Sequence, residues 1–262
     1  MSNGTGKVPA SNAVFDKGGY AIFRSSWEDG PEEATWLLFN AASHSSVHKH
    51  GDDLELLIYH KGDFLVEAGK RNYNYSDEQT AWAYSGYAHN VLLVNNEAYP
   101  VKISPNGYQS VYPEALKTGI IDYDISDEQN PSVTGYECRF ENVEQIRSVT
   151  YSKADSTVTI NDNCIGTEEY DGTLLWHIAE GTDVKENANG WDCYKNDELI
   201  ASISIDADTD FSLETFSGQN GEYPYMSWIF GGKEDPSYGS LLKVNFKGID
   251  GAVNVKTVFN LK

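Results

Sequence analysis

The chain has 262 residues, with 17 tyrosines, 10 phenylalanines and 6 tryptophans against only 2 methionines, and a formal charge of −21 at pH 7. That length buries a substantial core, as one large domain or two smaller ones, and the aromatic content suits pleated sheets. The charge excludes nucleic acid as a general partner, and no segment reaches the continuous apolar length of a membrane span.

The opening stretch, MSNGTGKVPASN, is polar and carries no positively charged, apolar leader. It predicts a flexible N-terminal segment over residues 1–15. Strand patterns follow at 20–24, 35–40, 54–59, 64–67 and 91–94. Later ones lie at 144–152, 157–161, 174–178, 200–205, 211–215, 241–246 and 252–259. SKADSTVTI predicts a hairpin turning at Ala154-Asp155, and KGIDGAVNV another around Ile249-Asp250-Gly251. Pro113 to Leu116 suits a single helical turn. No segment sustains a 3.6-residue apolar period with caps, and no fixed-period repeat occurs. Strands at short spacing without helices between them predict an all-β fold, an antiparallel β-sandwich with almost no helix. Residues 16–262 read as one domain.

Chemistry concentrates in HKHGDDLELLIYHKGDFLVEAG, residues 48–69. His48 and His50 stand one residue apart, so an extended backbone turns both to the same face. Asp52 and Asp53 follow. They suit turn chemistry or a role in holding an imidazole tautomer. A Lys61-Gly62 turn joins two apolar strands, and His89-Asn90 opens the next apolar run, VLLV. Imidazole and carboxylate together are zinc ligands, and they also move protons or neutralise acidic substrates. A tight turn at Lys61-Gly62 would pair Glu67 with about Leu56, leaving His50 about 20 Å away along a straight strand. A site shared by His50 and Glu67 therefore needs the chain before Leu54 to fold back, and Gly51 makes a bend cheap. His44, His60 and His177 read as structural, and Trp176 and Trp191 as core. Cys138, Cys164 and Cys193 are too few and too widely spaced for a cysteine metal cage; one disulfide plus a thiol, or three thiols, fits them. Nucleophile elbows and nucleotide loops are absent. Asp52 and Asp53 do not form a glycosidase pair, because neighbouring strand residues face opposite sides.

The order HxHxD, strand, turn, LVxxG, a Tyr-rich stretch and AHNVLLV resembles the C-terminal β domain of heparinase II/III-like polysaccharide lyases. GGYAIFRSSW upstream and TLLWHIAEGTDV downstream resemble that family's entry strand and a later sandwich strand. The resemblance implies zinc ligands at His50, Glu67 and His89, with Glu67 where the family usually has Asp, a change of about 1.5 Å in reach. It implies a structural Zn2+ site, and catalytic roles for His48 and for Tyr75, which lies 14 residues before His89. A phenol serves as acid or base when a neighbouring cation lowers its pKa. Asn90 reads as a partner for the loop or for sugar hydroxyls, and Lys49 and Arg71 as cations for substrate carboxylates.

The family pairs this domain with an N-terminal α/α toroid that supplies further catalytic groups and much of the substrate groove. The resemblance thus implies a fragment of a secreted or periplasmic lyase that cleaves an acidic polysaccharide, a uronate polymer, by β-elimination. The competing expectation is a non-catalytic carbohydrate-binding or structural β domain.

Overall fold

The computed structural model describes residues 6–42, 49–98 and 117–262. Two antiparallel sheets pack face to face. The first contains β1 (Asn12–Phe15), β2 (Tyr20–Arg24), β3 (Thr35–Asn40), β4 (Glu55–His60), β5 (Asp63–Leu65) and β6 (Leu92–Val94). The second takes β7 (Thr118–Asp124), β8 (Ser132–Glu137), β9 (Val143–Ser152) and β10 (Thr157–Gly166). The chain returns to the first sheet with β11 (Tyr170–Ile178), then gives the second β12 (Asp183–Asn187), β13 (Gly190–Lys195) and β14 (Glu198–Ala207). β15 (Phe211–Ser217) rejoins the first sheet, β16 (Trp228–Ile229) and β17 (Ser237–Tyr238) pair by themselves, β18 (Ser240–Gly248) closes the first sheet and β19 (Gly251–Leu261) the second. The first sheet runs β1-β2-β3-β4-β5-β11-β18-β15, with β6 also on β11, and the second runs β12-β13-β14-β19-β10-β9-β8-β7.

Period-two alternation builds the core between the sheets. Leu56 and Ile58 of β4 and Leu174 and Trp176 of β11 meet Val149, Tyr151, Ile160 and Phe259 from the opposite sheet. β11 is buried along nearly its whole length, because its other face is covered too. There Leu175 packs with Leu93 and Leu241, and Trp82, Ala83, Ala88 and Phe230 form a second layer beside them. That second layer rests on α1 (Glu78–Tyr84), whose N-cap Asp77 accepts a hydrogen bond from the Thr80 amide. At seven residues this helix is too short to show a period in the sequence. Among the described residues no helix is long and apolar enough to cross a membrane.

Two local expectations change and one holds. Strand pairing begins at Asn12, against Phe23, inside the stretch read as a flexible tail. The hairpin at Ala154-Asp155 forms, with Ser152 opposite Thr157. The turn at Ile249-Asp250 is not a hairpin: β18 pairs with β11 and β15, β19 with β10 and β14, so the chain there crosses between sheets. A two-residue connection looks the same in sequence whether the strands pair or part. The helical turn read at Pro113 to Leu116 lies outside the described residues. Cys138, Cys164 and Cys193 are free thiols.

Candidate metal centre

The site lies on the outer face of the first sheet, where β4, β5 and β11 meet the layer carrying α1. Three segments deliver it. The first is the loop before β4, which does fold back, bending at Gly51 and turning again just before the strand. The turn is made by Asp52 to Leu54, with the Glu55 amide bonded to the Asp52 carbonyl at 3.2 Å and Leu54 in the left-handed region at φ 63°. Gly51 is needed for space as well: a Cβ there would stand 2.5 Å from the Gly86 nitrogen. Its own amide donates to the Tyr84 carbonyl at 2.8 Å.

The second segment follows the β4–β5 hairpin, whose turn uses Lys61 at φ 55° and Gly62 at φ 118°. The Val66 amide then bonds the His177 carbonyl and the Ala68 amide bonds the Ala88 carbonyl, which fixes Glu67 between them. The third is His89-Asn90. Asn90 is fully buried. Its amide donates to the Leu56 and Val66 carbonyls, each at 3.0 Å, and its oxygen accepts from the His177 amide at 2.7 Å. It ties three segments together, which is the loop-partner side of the sequence reading of Asn90.

These segments bring His50, Glu67 and His89 together, with one donor atom from each lying within 4.8 Å of the others. His89 Nδ1 stands 3.3 Å from Glu67 Oε2 and 3.2 Å from Glu55 Oε1. The His50 and His89 ring centres are 5.2 Å apart. His89 Nε2 is buried without a hydrogen-bond partner, an uncommon state for a buried polar atom. Two imidazoles and a carboxylate match the donor preference of zinc, and bonds of 2.0–2.2 Å set tetrahedral edges of about 3.3–3.5 Å. The His89–Glu67 pair already has that spacing, so the residues present fit such an ion. The longer arm of glutamate at position 67 reaches the site.

Glu55 was not anticipated. It lies in the apolar run LELLIYH, and the only signal was a charged side chain on a strand with both faces covered. Asp52 and Asp53, read as turn residues or as partners of an imidazole, pair with other groups: Asp53 with Arg139 at 2.8 Å and with Lys49 at 3.2 Å, and Asp52 with Lys49 and Asn40. Glu55 instead lies beside His89 Nδ1, the same nitrogen that faces Glu67.

The electrostatics follow from this packing. Burial, and then the charge of His89, push His50 down to about 4. At His89 burial works against the charged form, but Glu55 and Glu67 outweigh it and hold the imidazolium well above the usual histidine range. Burial pushes Glu55 up to about 7 against the pull of His89. Glu67 is buried as well, yet its hydrogen bond to His89 and that ring's charge keep it below the ordinary glutamate value. The His89 imidazolium thus faces two carboxylates, of which Glu67 is held in its charged form and Glu55 is pushed toward its neutral one. Burial and the His89 charge push the neighbouring His177 down to about 3; its ring packs against Trp82 as a core group.

Tyr75 reaches the site through Tyr84. Its hydroxyl is 3.5 Å from that of Tyr84, and the Tyr84 ring lies 4.2 Å from that of His50. Lys49 and Arg71, read as cations for substrate carboxylates, are engaged here by carboxylates of the protein itself. Lys49 binds Asp52 and Asp53; despite burial these aspartates hold its ammonium above the ordinary lysine value. Arg71 binds Asp77 at 2.8 Å and Glu234 at 3.3 Å, pinning the start of α1 to the loop before β17. His48 and His44 lie outside the described residues. His60 bonds Thr35 and the Lys262 carbonyl, and Trp176 and Trp191 are fully buried, all as expected of structural groups.

The family described as heparinase II/III-like, C-terminal, matches residues 7–235. No curated protein sequence matches the chain. Among solved structures the chain resembles heparan sulfate lyase HepC from Pedobacter heparinus, at 16% identity and a TM-score of 0.77, over 97% of this chain and 37% of that one. A crystal structure of heparinase III aligns at 17% identity and a TM-score of 0.75, over 98% of this chain and 38% of that one. At such identities the likeness shows the fold, and the chain spans little more than a third of the length of these structures. With most of its length matched by the family, the chain belongs to the heparinase II/III-like group as its C-terminal β-sandwich domain.

Proposed function

We propose that this domain supplies the metal-pinned half of a polysaccharide lyase active site, acting by β-elimination on a uronic-acid polymer when joined to an N-terminal α/α toroid. One observation carries the reading: His50, Glu67 and His89 come from three separate segments and converge within 4.8 Å. A bound Zn2+ would supply structural charge there and hold the loop that carries His48. His50, Glu67 and His89 would hold it, with Glu55 orienting the His89 ring. The heparan sulfate lyase and heparinase III structures support the class of chemistry by their names; a secreted or periplasmic location is proposed on the family resemblance alone.

Elimination removes the proton at C5 of the uronate, breaks the C4–oxygen bond as a C4–C5 double bond forms, and returns a proton to the leaving oxygen. In this chain Tyr75 and His48 are the groups assigned to that proton traffic. Tyr75 is half-buried and linked through Tyr84 to His50. The family resemblance puts much of the groove that orients a polymer in the toroid, and orientation contributes up to ~7–11 kcal/mol to such reactions. The domain should therefore be inert, or nearly so, without its toroid.

The engagement of Lys49 and Arg71 by carboxylates favours a second reading, a structural domain whose metal only fixes a loop, or a non-catalytic carbohydrate-binding domain. The ultraviolet absorbance of unsaturated uronate products decides between them. In the toroid-containing enzyme, Tyr75→Phe should lower kcat at least a hundredfold with little change in melting temperature. Unaltered kcat in Tyr75→Phe would return that phenol to packing against Tyr84. Robust turnover by the isolated domain would show that the reacting groups have been misplaced.

A further inference from the structure

Arg147 is a charged side chain in the middle of the sandwich, and the metal reading so far makes no use of it. It stands on β9 and is fully buried. Asp162, its register partner on β10, takes the guanidinium with two bonds, Nε to Oδ1 at 2.7 Å and Nη2 to Oδ2 at 3.2 Å. Gln145 donates to the same Asp162 oxygen at 2.7 Å, and the Trp176 ring lies 5.0 Å from the guanidinium carbon. The plane of the group is thereby fixed by Asp162 of the second sheet, with the Trp176 ring of the first sheet beside it. Its remaining nitrogen, Nη1, crosses the core and donates to two carbonyls of the first-sheet side, Leu54 at 2.8 Å and Asn90 at 2.7 Å.

Those two carbonyls are not arbitrary. Leu54 ends the turn that folds the His50 loop back, and it does so at φ 63°, a costly conformation for a residue with a branched side chain. Asn90 follows His89 directly. One nitrogen thus bonds both backbone segments that carry the imidazoles. We infer that Arg147 is a positioning residue for the metal centre, setting the spacing of His50 and His89 from the far side of the core. The inference rests on reading His50, Glu67 and His89 as a metal site. A buried ion pair need not stabilise a fold more than apolar packing would. The planar fork, however, places a donor at a fixed point, which a lysine ammonium does not do.

The experiment uses this chain, with zinc affinity measured by chelator competition and with Co2+ substituted as a spectroscopic probe of ligand geometry. Arg147→Met should weaken zinc binding roughly 10- to 100-fold, the range seen when groups behind metal ligands are removed, and alter the Co2+ visible bands. Val158→Ala, a core truncation on β10, serves as the stability control and should keep wild-type affinity and spectrum despite a lowered melting temperature. Arg147→Lys should fall between wild type and Arg147→Met. Where Arg147→Met fails to fold, Arg147→Lys and the milder Gln145→Ala decide the matter, each expected to weaken binding severalfold. Wild-type affinity and an unchanged Co2+ spectrum in the folded Arg147 variants would overturn the positioning role alone. Absence of zinc and Co2+ binding by the wild-type chain would overturn the metal reading, and the positioning role with it.

Discussion

Two clusters of buried charge flank the loop from Lys49 to Glu55, and they are closed in different ways. On one side Asp52, Asp53 and Glu137 face Lys49 and Arg139, with Asp53 bridging the two cations at 3.2 and 2.8 Å and Glu137 3.7 Å from Arg139. On the other side Glu55 and Glu67 face His89, with His50 beside it. Lysine and arginine keep their charge at any ordinary pH, so the first cluster is closed permanently. Imidazoles carry charge only with a proton, so the second is balanced by something exchangeable, a proton or a metal ion. Similar carboxylate content therefore gives one cluster that anchors the loop and another that can bind.

The widest separation should appear between Asp53→Ala and His89→Ala. Asp53→Ala removes the closest carboxylate to Arg139 and one of the two that hold Lys49; breaking a buried pair in this way costs about 3–5 kcal/mol. Its melting temperature should fall by roughly 10 °C. His89→Ala should instead abolish near-stoichiometric zinc uptake, measured by metal analysis after gel filtration. Because His89 in the free chain holds a proton well above the usual histidine range, zinc must displace that proton. Affinity should then drop about tenfold for each pH unit below neutrality. Undiminished zinc in His89→Ala would erase the contrast between the clusters.

What the sequence disclosed divides along the same line. Strands 20–24 and 35–40 were legible to the residue, because one face of each is apolar and the turns around them are rich in Gly, Asp and Ser. His50, Glu67 and His89 were legible through a motif whose order survives in this chain. The partners that decide their chemistry were not. Glu55 is hidden inside an apolar run, and Arg147 reaches the Leu54 carbonyl from 93 positions away, across the core. Proximity to His50 made Lys49 look available, whereas Asp53 and Asp52 already engage it; Arg71 is held by Glu234, 163 positions on. Local pattern reports which face a residue is on. It does not report which distant group has claimed its charge.

Glu137 offers a finer test of the permanently closed cluster, which has one carboxylate more than it has cations. Burial, and then the charge of Asp53, push Glu137 up to about 8, with Arg139 pulling the other way. An unfolded glutamate loses its proton near 4.3. Between those values the folded chain holds a proton that the unfolded chain has released, so this group makes stability fall as pH rises from about 4.5 to 8. Glu137→Gln stays neutral throughout and removes that slope. Melting temperatures from pH 5 to 8.5 should decline more steeply in the wild type than in Glu137→Gln, with the variant relatively more stable at the alkaline end. Parallel profiles would mean that Glu137 ionises normally and that the cluster accommodates all three negative charges.

The smallest effect should come from Asp52→Asn, and its smallness is what separates the inner carboxylate of the cluster from the outer one. Asp52 is 21% exposed at its side chain, whereas Asp53 is fully enclosed. Solvent therefore screens the attraction of Asp52 for Lys49, and exposed pairs of this kind contribute about 0–1 kcal/mol. Asparagine keeps an oxygen for the Asn40 amide, which bonds Asp52 Oδ2 at 2.7 Å, and leaves the backbone contact from Asn40 to the Asp52 carbonyl in place. Lys49 retains Asp53. The expected loss is at most about 1 kcal/mol, or under about 4 °C in melting temperature for a chain of this size, with zinc affinity unchanged because Asp52 touches neither imidazole. A loss as large as that of Asp53→Ala would mean that Asp52 carries the Lys49 charge and that the turn before β4, rather than the pairing beneath it, anchors the loop.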